Sequence, residues 1–219
     1  MSELRADSII KSYGNKQVLT DVFVSCSEGE IIGLLGRNGT GKSTLLKIIF
    51  GSLLADRKMV KVDNKIISNI SDNNGVINYL PQDNYLPSHL KISKIISIVC
   101  QPEQAEFIRN HRLIKPHLNK KSNQLSGGES RVLEILLTVY ASSKFTLLDE
   151  PFNGIAPVYK EEIKKMVQEQ SKTKGFIVTD HDYRNVLDIA TKIVLVYDGG
   201  TKVLKDTDEL IEWGYLSSI

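Results

Sequence analysis

Nine consecutive residues constrain the fold of this chain more than any other stretch. Residues 36–44 read Gly-Arg-Asn-Gly-Thr-Gly-Lys-Ser-Thr, with the spacing G-x-x-x-x-G-K-[ST] of a phosphate-binding loop, or P-loop. The apolar run at 30–35 predicts a buried strand, and residues 43–50 predict a helix that ends at Gly51. The motif therefore lies between a strand and a helix, which is the context that a P-loop requires.

The residue types of this loop suit the phosphates of a nucleotide. Its glycines let successive N–H groups point into one concavity, and the following helix offers its positive dipole end. Lys42 adds a mobile charge for the outer phosphates, and the hydroxyl of Ser43 is placed to bind Mg²⁺. A glycine-rich surface turn before an ordinary helix is the alternative interpretation. We expect the nucleotide to contact Gly36, Arg37, Asn38, Gly39, Thr40, Gly41, Lys42, Ser43 and Thr44.

Composition limits the classes of protein to which the chain can belong. Its 219 residues suit one α/β domain, and its net charge of +2 is too small to favour nucleic acid or membrane lipid as the main partner. Cys26 and Cys100 match no metal or redox spacing. The sequence contains no apolar run of the roughly 18 residues that a membrane span needs, and its start lacks a secretory hydrophobic segment. We therefore expect a cytoplasmic protein whose membrane role would depend on a partner subunit.

Short apolar runs alternate with helical patterns along most of the chain. This alternation predicts an α/β fold with a mostly parallel sheet that is covered on both faces. The expected strands are at 30–35, 76–80, 144–150 and 176–181, and the expected helices are at 129–142, 157–172 and 182–190.

Two further regions add to this core. Residues 4–26 and the hairpin at 59–67 predict an antiparallel β layer beside the nucleotide strand. Helical spacing within 92–109 predicts a small helical lobe inserted at about 84–124. We expect one domain over residues 1–219, with a core formed by 1–83 and 125–219.

The polar candidates follow predicted strands. Ligands of parallel α/β sheets bind beyond the carboxyl ends of the strands, where the P-loop, the Asp149-Glu150 pair and His181 all lie. These groups are therefore expected to converge in space. An ordinary helix N-cap beside an acidic residue would also explain two adjacent carboxylates, so the functional interpretation depends on the nearby P-loop.

Four motifs in this order resemble the ATPase subunit of an ABC (ATP-binding cassette) transporter over essentially the whole chain. They are the P-loop at 36–44, the Leu-Ser-Gly-Gly-Glu run at 125–129, the Phe-Thr-Leu-Leu-Asp-Glu-Pro run at 145–151 and Thr-Asp-His at 179–181. The Ser-Gly-Gly signature is the most diagnostic of the four, because other P-loop ATPases lack it. The resemblance implies a P-loop NTPase core, with ATP and Mg²⁺ as cofactors.

The resemblance also implies a role for each motif. Asp149 corresponds to the Walker B aspartate that holds Mg²⁺, and Glu150 to the catalytic glutamate that orients or deprotonates the attacking water. Gln82 would touch Mg²⁺ and water, His181 would reach the γ-phosphate, and Tyr13 would stack on adenine. The implied catalytic residues are Glu150, His181 and Lys42, and the implied metal ligands are Ser43, Gln82 and Asp149.

A second anion site is expected where Ser126, Gly127 and Gly128 open a helix with free N–H groups. In the family that the chain resembles, this loop binds the γ-phosphate held by the P-loop of another subunit. The resemblance therefore implies a head-to-tail dimer with two ATP molecules between the copies. It also implies separate membrane-spanning subunits, which would hold the ATPase at the inner face of the cell membrane.

Some residues depart from the pattern of the family. Ala156 stands where an aspartate is usual in the D-loop, and the insert between Gln82 and Leu125 is short. Residues 148–154 and 179–184 look most like the ATPases of lipopolysaccharide export and branched-chain amino-acid import. Two alternatives stay open: a soluble ABC ATPase that acts on DNA or ribosomes, and a nucleotide-binding regulator that does not hydrolyse ATP.

Overall fold

Ten strands and eight α-helices follow one another along residues 1–216, the part of the chain that the computed structural model describes. The strands are β1 (Glu3–Tyr13), β2 (Lys16–Ser27), β3 (Ile31–Leu35), β4 (Arg57–Val62), β5 (Lys65–Ile66), β6 (Ile77–Leu80), β7 (Phe145–Asp149), β8 (Gly175–Thr179), β9 (Lys192–Tyr197) and β10 (Gly200–Leu204). The helices are α1 (Lys42–Phe50), α2 (Ile70–Asn73), α3 (Ile92–Val99), α4 (Pro102–Asn110), α5 (Gly127–Tyr140), α6 (Pro157–Gln170), α7 (Tyr183–Leu187) and α8 (Glu209–Glu212).

A six-stranded sheet in the order β10-β9-β3-β8-β7-β6 forms the centre of the molecule. Its strands pair in parallel except for β10, which joins β9 at the edge as an antiparallel hairpin. Every residue of β3, β7 and β8 is buried, because other layers cover both faces of the sheet. The predicted α/β fold with a mostly parallel sheet is confirmed.

The antiparallel β layer is a separate four-stranded sheet in the order β2-β1-β4-β5. Leu4 of β1 lies opposite Cys26 on one side and Val62 on the other. The turn between β4 and β5 gives Asp63 a φ of 53°, which a short polar side chain tolerates better than most. This layer was also predicted from the sequence.

Two hydrophobic clusters fill the spaces on opposite faces of the central sheet. Ile32 and Leu34 point into the cluster shared with the antiparallel sheet and α1. Ile31 points into the other cluster, which contains residues of α3 to α6. The alternation of neighbouring side chains along β3 therefore joins three layers into one body.

The helical lobe shares its core with the rest of the domain. Ile92 and Ile96 of α3 and Ile108 of α4 belong to the same cluster as Leu133 and Leu136 of α5. Short 3-10 turns at Lys115–His117 and Ser122–Gln124 connect the lobe to α5. The lobe boundaries at about 84 and 124 stay a prediction, because no gap in the packing marks them.

Several element boundaries differ from the expected ones. The strand expected at 176–181 is β8, which begins one residue earlier at Gly175, where a Cβ would lie 2.6 Å from the ring of Phe145. β8 ends at Thr179, so His181 lies in a loop. The short helices α2 and α8 were not predicted, because one helical turn shows no periodicity. Within residues 1–216, every helix is too short or too polar to cross a membrane.

Candidate active site

A cleft of about 600 Å³ opens at the carboxyl ends of the central strands. It brings together side chains and backbone from the P-loop and from four other predicted positions that are distant in the sequence. The lining residues are Tyr13, Val18, Asn38, Gly39, Gly41, Lys42, Ser43, Thr44, Gln82, Glu150, Asn153 and His181. The P-loop and the loops after β6, β7 and β8 meet at this edge because β3 and those strands run in parallel, whereas Tyr13 and Val18 come from the antiparallel sheet.

The P-loop curls around its own lysine. Gly41 has a φ of 100° and caps α1, which directs the N–H groups of the first helical turn into the cleft. The Nζ of Lys42 donates to the carbonyl oxygen of Gly36 at 2.6 Å and to that of Arg37 at 3.2 Å. Burial lowers the pKa of Lys42, although Glu150 and Asp149 act in the opposite direction. The ammonium group of Lys42 therefore lies at the cleft, and its partners are two carbonyl groups that a phosphate could replace.

Three residues that were predicted to contact the phosphates do not line the cleft, namely Gly36, Arg37 and Thr40. Arg37 and Thr40 line a second cavity of about 300 Å³ behind the loop. There the Nη2 of Arg37 donates to the carbonyl oxygen of Gly214 at 2.6 Å. A Cβ on Gly36 would lie 2.7 Å from the carbonyl oxygen of Val196, so this glycine packs against β9. These residues shape the loop from behind.

Asp149 is fully buried at the end of β7, and both of its carboxylate oxygens are engaged. The hydroxyl of Ser43 donates to Oδ1 at 3.0 Å, and the hydroxyl of Tyr79 donates to Oδ2 at 2.9 Å. Burial raises the pKa of Asp149, while these two hydrogen bonds act to lower it. A hydroxyl oxygen and a carboxylate oxygen thus meet at one point, and hard oxygen ligands of this kind suit Mg²⁺.

Glu150 has an unusual backbone conformation for a residue with a side chain. Its φ is 49°, in the left-handed region, and its N–H donates to the carbonyl oxygen of Thr179 at 2.9 Å. The chain turns sharply here, so the side chain of Glu150 projects into the cleft while that of Asp149 stays beneath it. The amide nitrogen of Gln82 donates to Oε2 of Glu150 at 2.9 Å. The structure therefore joins two predicted site residues that are 68 positions apart.

His181 lines the cleft and its side chain is half exposed. Its Nδ1 lies 3.4 Å from Oδ1 of Asp180, which is buried. The carboxylate of Asp180 also accepts from the backbone N–H groups of Phe152 at 3.2 Å and Asp182 at 3.0 Å. Asp180 therefore ties the loop that carries His181 to the loop that follows Glu150.

Tyr13 is the last residue of β1 and lines the cleft, and half of its surface is exposed. The Nζ of Lys11 is 5.0 Å from the centre of the Tyr13 ring. One face of an aromatic ring can hold a cation while the other stays available for a flat ligand. The ring is thus placed where a base attached to P-loop phosphates could reach it.

The signature loop, residues 125–129, does not line this cleft. Ser126 caps α5, and its side-chain oxygen and N–H form a reciprocal pair with Glu129. Ser126 and Gly127 are exposed, and a Cβ on Gly128 would lie 3.2 Å from the carbonyl oxygen of Gly154. The loop for which a second anion site is predicted is therefore exposed at Ser126 and Gly127 and does not line the cleft of its own chain.

Sequence reasoning missed several residues of the cleft and its supports. Val18 and Asn153 line the cleft. Tyr79 donates a hydrogen bond to Asp149, and Asp180 accepts one from the loop that carries His181. Arg131 is buried beneath Glu150, and a lone arginine within the apolar run of α5 was a usable signal, since arginine is seldom buried without partners. The others carry no comparable signal in a single sequence.

Comparison with known proteins identifies the family. The family model described as ABC transporter matches residues 19–153, which is more than half of the chain. This chain belongs to the ABC transporter family. The lipopolysaccharide export system ATP-binding protein LptB of Haemophilus influenzae is 32% identical over 99% of this chain and 98% of its own length. The protein of the same name from Escherichia coli K12 is 32% identical over 91% of this chain and 88% of its own length.

Solved structures agree with this assignment. A structure described as an ATP-binding subunit of an ABC transporter covers 98% of this chain and 95% of its own, with a TM-score of 0.81 at 21% identity. At that identity the likeness shows the fold alone. The ADP conformation of an ATP-binding cassette of an ABC transporter has a TM-score of 0.73 at 25% identity, covering 92% of this chain and 90% of its own.

Family membership establishes the general function of the ABC protein. It is an ATP-binding and ATP-hydrolysing subunit of a transporter, and such subunits work with membrane subunits. The resemblance inferred from the four motifs, including the likeness to lipopolysaccharide-export ATPases, is confirmed. Neither the DNA- or ribosome-acting ATPase nor the non-hydrolytic regulator is favoured by these matches.

Proposed function

We propose that the cleft hydrolyses ATP with Mg²⁺ by in-line attack of water on the γ-phosphate, and that Glu150 is the residue that orients this water. The observation that carries the proposal is the pairing of Gln82 with Glu150 at 2.9 Å, beside the pairing of Ser43 with Asp149 at 3.0 Å. These residues come from three segments of the chain: Ser43, Gln82 and Glu150 line the cleft, and Asp149 lies beneath it, next to Glu150 in the chain. Such a set suits phosphoryl transfer, which depends on positioning and charge stabilisation.

Each side chain has a distinct task in this proposal. Lys42 exchanges its carbonyl partners for the outer phosphates, because a phosphate oxygen is a stronger acceptor than a carbonyl. Glu150 accepts a hydrogen bond from the attacking water, and Gln82 holds the carboxylate in place. His181 donates to the γ-phosphate from the far side of the cleft, and Tyr13 stacks on the adenine.

The proposed metal ligands are Ser43, Asp149 and Gln82. The hydroxyl and carboxylate oxygens of Ser43 and Asp149 already converge, and the amide oxygen of Gln82 is a further ligand of the same type. When bound, the metal would supply positive charge that neutralises the negative charge of the phosphates during transfer. Tyr79 keeps the second oxygen of Asp149 occupied, which leaves the oxygen beside Ser43 for this purpose.

We further propose that two copies form a head-to-tail dimer around two ATP molecules. The support is the position of Ser126, Gly127 and Gly128, which are absent from the cleft lining although their N–H groups open α5. Hydrolysis should then rise more steeply than linearly with protein concentration in dilute solution. A specific activity that stays constant down to the lowest measurable concentration would contradict an obligate dimer.

The proposed setting is the inner face of the cell membrane, against membrane-spanning subunits. The names of the curated relatives favour lipopolysaccharide export as the process that this ATPase powers. The cleft itself contains groups for a nucleotide and its phosphates, so the membrane subunits would select the cargo. Co-purification from detergent-solubilised membranes, followed by identification of the bound subunits, tests this part of the proposal.

The role of Glu150 is tested by Glu150→Gln. The variant should bind a fluorescent ATP analogue as tightly as the native protein, while kcat falls by at least about 100-fold, a common effect of losing a positioned base. Glu103→Gln, an exposed carboxylate in the first turn of α4, is the matched control and should keep native activity. Native-rate hydrolysis by Glu150→Gln would show that the assigned role is wrong.

A further inference from the structure

Arg131 on α5 donates hydrogen bonds to three backbone carbonyl groups in two other segments of the chain. Its Nη1 donates to the carbonyl oxygen of Pro81 at 2.7 Å. Its Nη2 donates to the carbonyl oxygens of Asp149 at 2.8 Å and Glu150 at 3.1 Å. Only 4% of the residue is exposed, so these bonds form away from water, where each has more weight.

Two of these bonds lie at the strained turn that carries Glu150. The left-handed region disfavours a residue with a side chain, so a φ of 49° persists only if the surroundings fix it. Thr179 fixes the N–H of Glu150 from one side. Arg131 fixes its carbonyl group, and that of Asp149, from the other side.

The third bond reaches the segment that holds the side chain of Glu150. Pro81 immediately precedes Gln82, and the amide nitrogen of Gln82 donates to the Glu150 carboxylate at 2.9 Å. One guanidinium therefore fixes both the backbone of Glu150 and the backbone next to its side-chain partner. The spacing between the two segments is set by the planar fork of the arginine.

Glu134, one helical turn further along α5, completes the arrangement. It is fully buried, its Oε2 lies 3.3 Å from Nη1 of Arg131, and its Oε1 accepts from the N–H of Tyr85 at 2.9 Å. Burial raises the pKa of Glu134, and Arg131 opposes that shift. The pair thus ties residues 81–85 to α5 at two points.

We propose that Arg131 is a positioning residue for ATP hydrolysis, which aligns Glu150 with Gln82 across the two loops. This inference rests on the proposed role of Glu150. Arg131 is not among the residues that line the cleft, so its loss should affect the chemical step and leave nucleotide affinity nearly unchanged. A misplacement of about 1 Å at a reacting group lowers a rate by roughly 100-fold.

Three variants separate positioning from simple support of the fold. Arg131→Lys keeps a cation beside Glu134 but cannot span three carbonyl groups, so kcat should stay below about one tenth of native. Arg131→Met leaves Glu134 buried without its partner and should lose thermal stability as well as kcat. Arg131→Met combined with Glu134→Gln removes both charges while the amide oxygen can still accept from Tyr85, and it should regain part of the melting temperature lost by Arg131→Met without recovering kcat.

The measurements are kcat, KM, the affinity for a fluorescent ATP analogue and the melting temperature, each made on the full chain. KM and the analogue affinity should change less than about threefold while kcat falls by roughly 100-fold in the double variant. Arg109→Gln on α4, whose side chain donates to the hydroxyl of Ser97, is a control that should retain native kcat. Recovery of kcat together with melting temperature in the double variant would overturn the proposal.

The result for Glu150→Gln separates this inference from the role on which it rests. If Glu150→Gln is inactive but the double variant keeps native kcat, the positioning role of Arg131 is refuted while the catalytic role of Glu150 stands. If Glu150→Gln hydrolyses ATP at the native rate, the proposed catalytic role of Glu150 is refuted. A loss of kcat in the Arg131 variants would then have to arise through a residue other than Glu150. Native kcat in Arg131→Lys would show that only the charge beside Glu134 matters, which also refutes the proposal.

Discussion

Replacing Tyr79 by phenylalanine removes one hydrogen bond from the most buried carboxylate of the cleft. The hydroxyl donates to Oδ2 of Asp149 at 2.9 Å, and burial raises the pKa of Tyr79, so it remains a donor at every pH at which the protein is studied. The ring packs against Phe50 with centroids 5.5 Å apart, and phenylalanine keeps that contact. The substitution therefore changes one polar interaction and creates no cavity.

The magnitude follows from the burial of Asp149, which is 0% exposed. A hydrogen bond to a charged group contributes about 1.5–3 kcal/mol, and a buried oxygen that loses its donor keeps its desolvation cost. Ser43 still serves Oδ1, so we expect a loss near the middle of that range, about 2 kcal/mol. For a domain of this size, the melting temperature should fall by roughly 4–8 °C.

The assay is thermal unfolding of the nucleotide-free protein, with Tyr85→Phe as the matched control. The hydroxyl of Tyr85 meets neutral partners at longer distances, 3.2 Å to Thr138 and 3.4 Å to the carbonyl oxygen of Glu134. Its removal should cost about 1 kcal/mol or less. If Tyr79→Phe melts within 1–2 °C of the native protein, the reasoning about the buried carboxylate is refuted.

Three further outcomes are expected. Gly41→Ala should lower the free energy of unfolding in urea by roughly 2–4 kcal/mol, because a Cβ would lie 2.8 Å from Leu19 and φ is 100°. Gly39→Ala is the control: its φ is 80° and a Cβ would meet open space, so the loss should be only about 1 kcal/mol. Lys42→Ala should weaken ATP binding by about 30-fold or more in calorimetry, because a buried ammonium no longer meets the phosphates. Burial lowers the pKa of Lys174 to about 8, so between pH 8 and 10.5 the folded chain binds fewer protons than the unfolded chain. The unfolding free energy of the native protein relative to Lys174→Met should therefore rise by roughly 2–3 kcal/mol over that range, as measured by urea titration.

Much of the fold was predictable because its signals are local. Burial on both faces makes β3, β7 and β8 continuous apolar runs, which the sequence shows directly. The P-loop has a fixed spacing because each of its positions has a separate geometric task. The short helix at Ile70–Asn73 lacked such a signal, because one turn held by an Asn69 capping box shows no period.

The sequence by itself determined the kind of site. The glycine spacing, the acidic pair after a strand and the Ser-Gly-Gly signature each reflect local backbone chemistry, and together they identified an ABC-type ATPase. Only the tertiary structure decided how these parts are held together. The hydrogen bond from Tyr79 to Asp149 joins residues 70 positions apart. Arg131 joins Pro81, 50 positions away, to Glu150, 19 positions away. Such contacts depend on which strands lie side by side and on the path of α5 beneath the cleft, and a single sequence contains no periodicity or motif that records them.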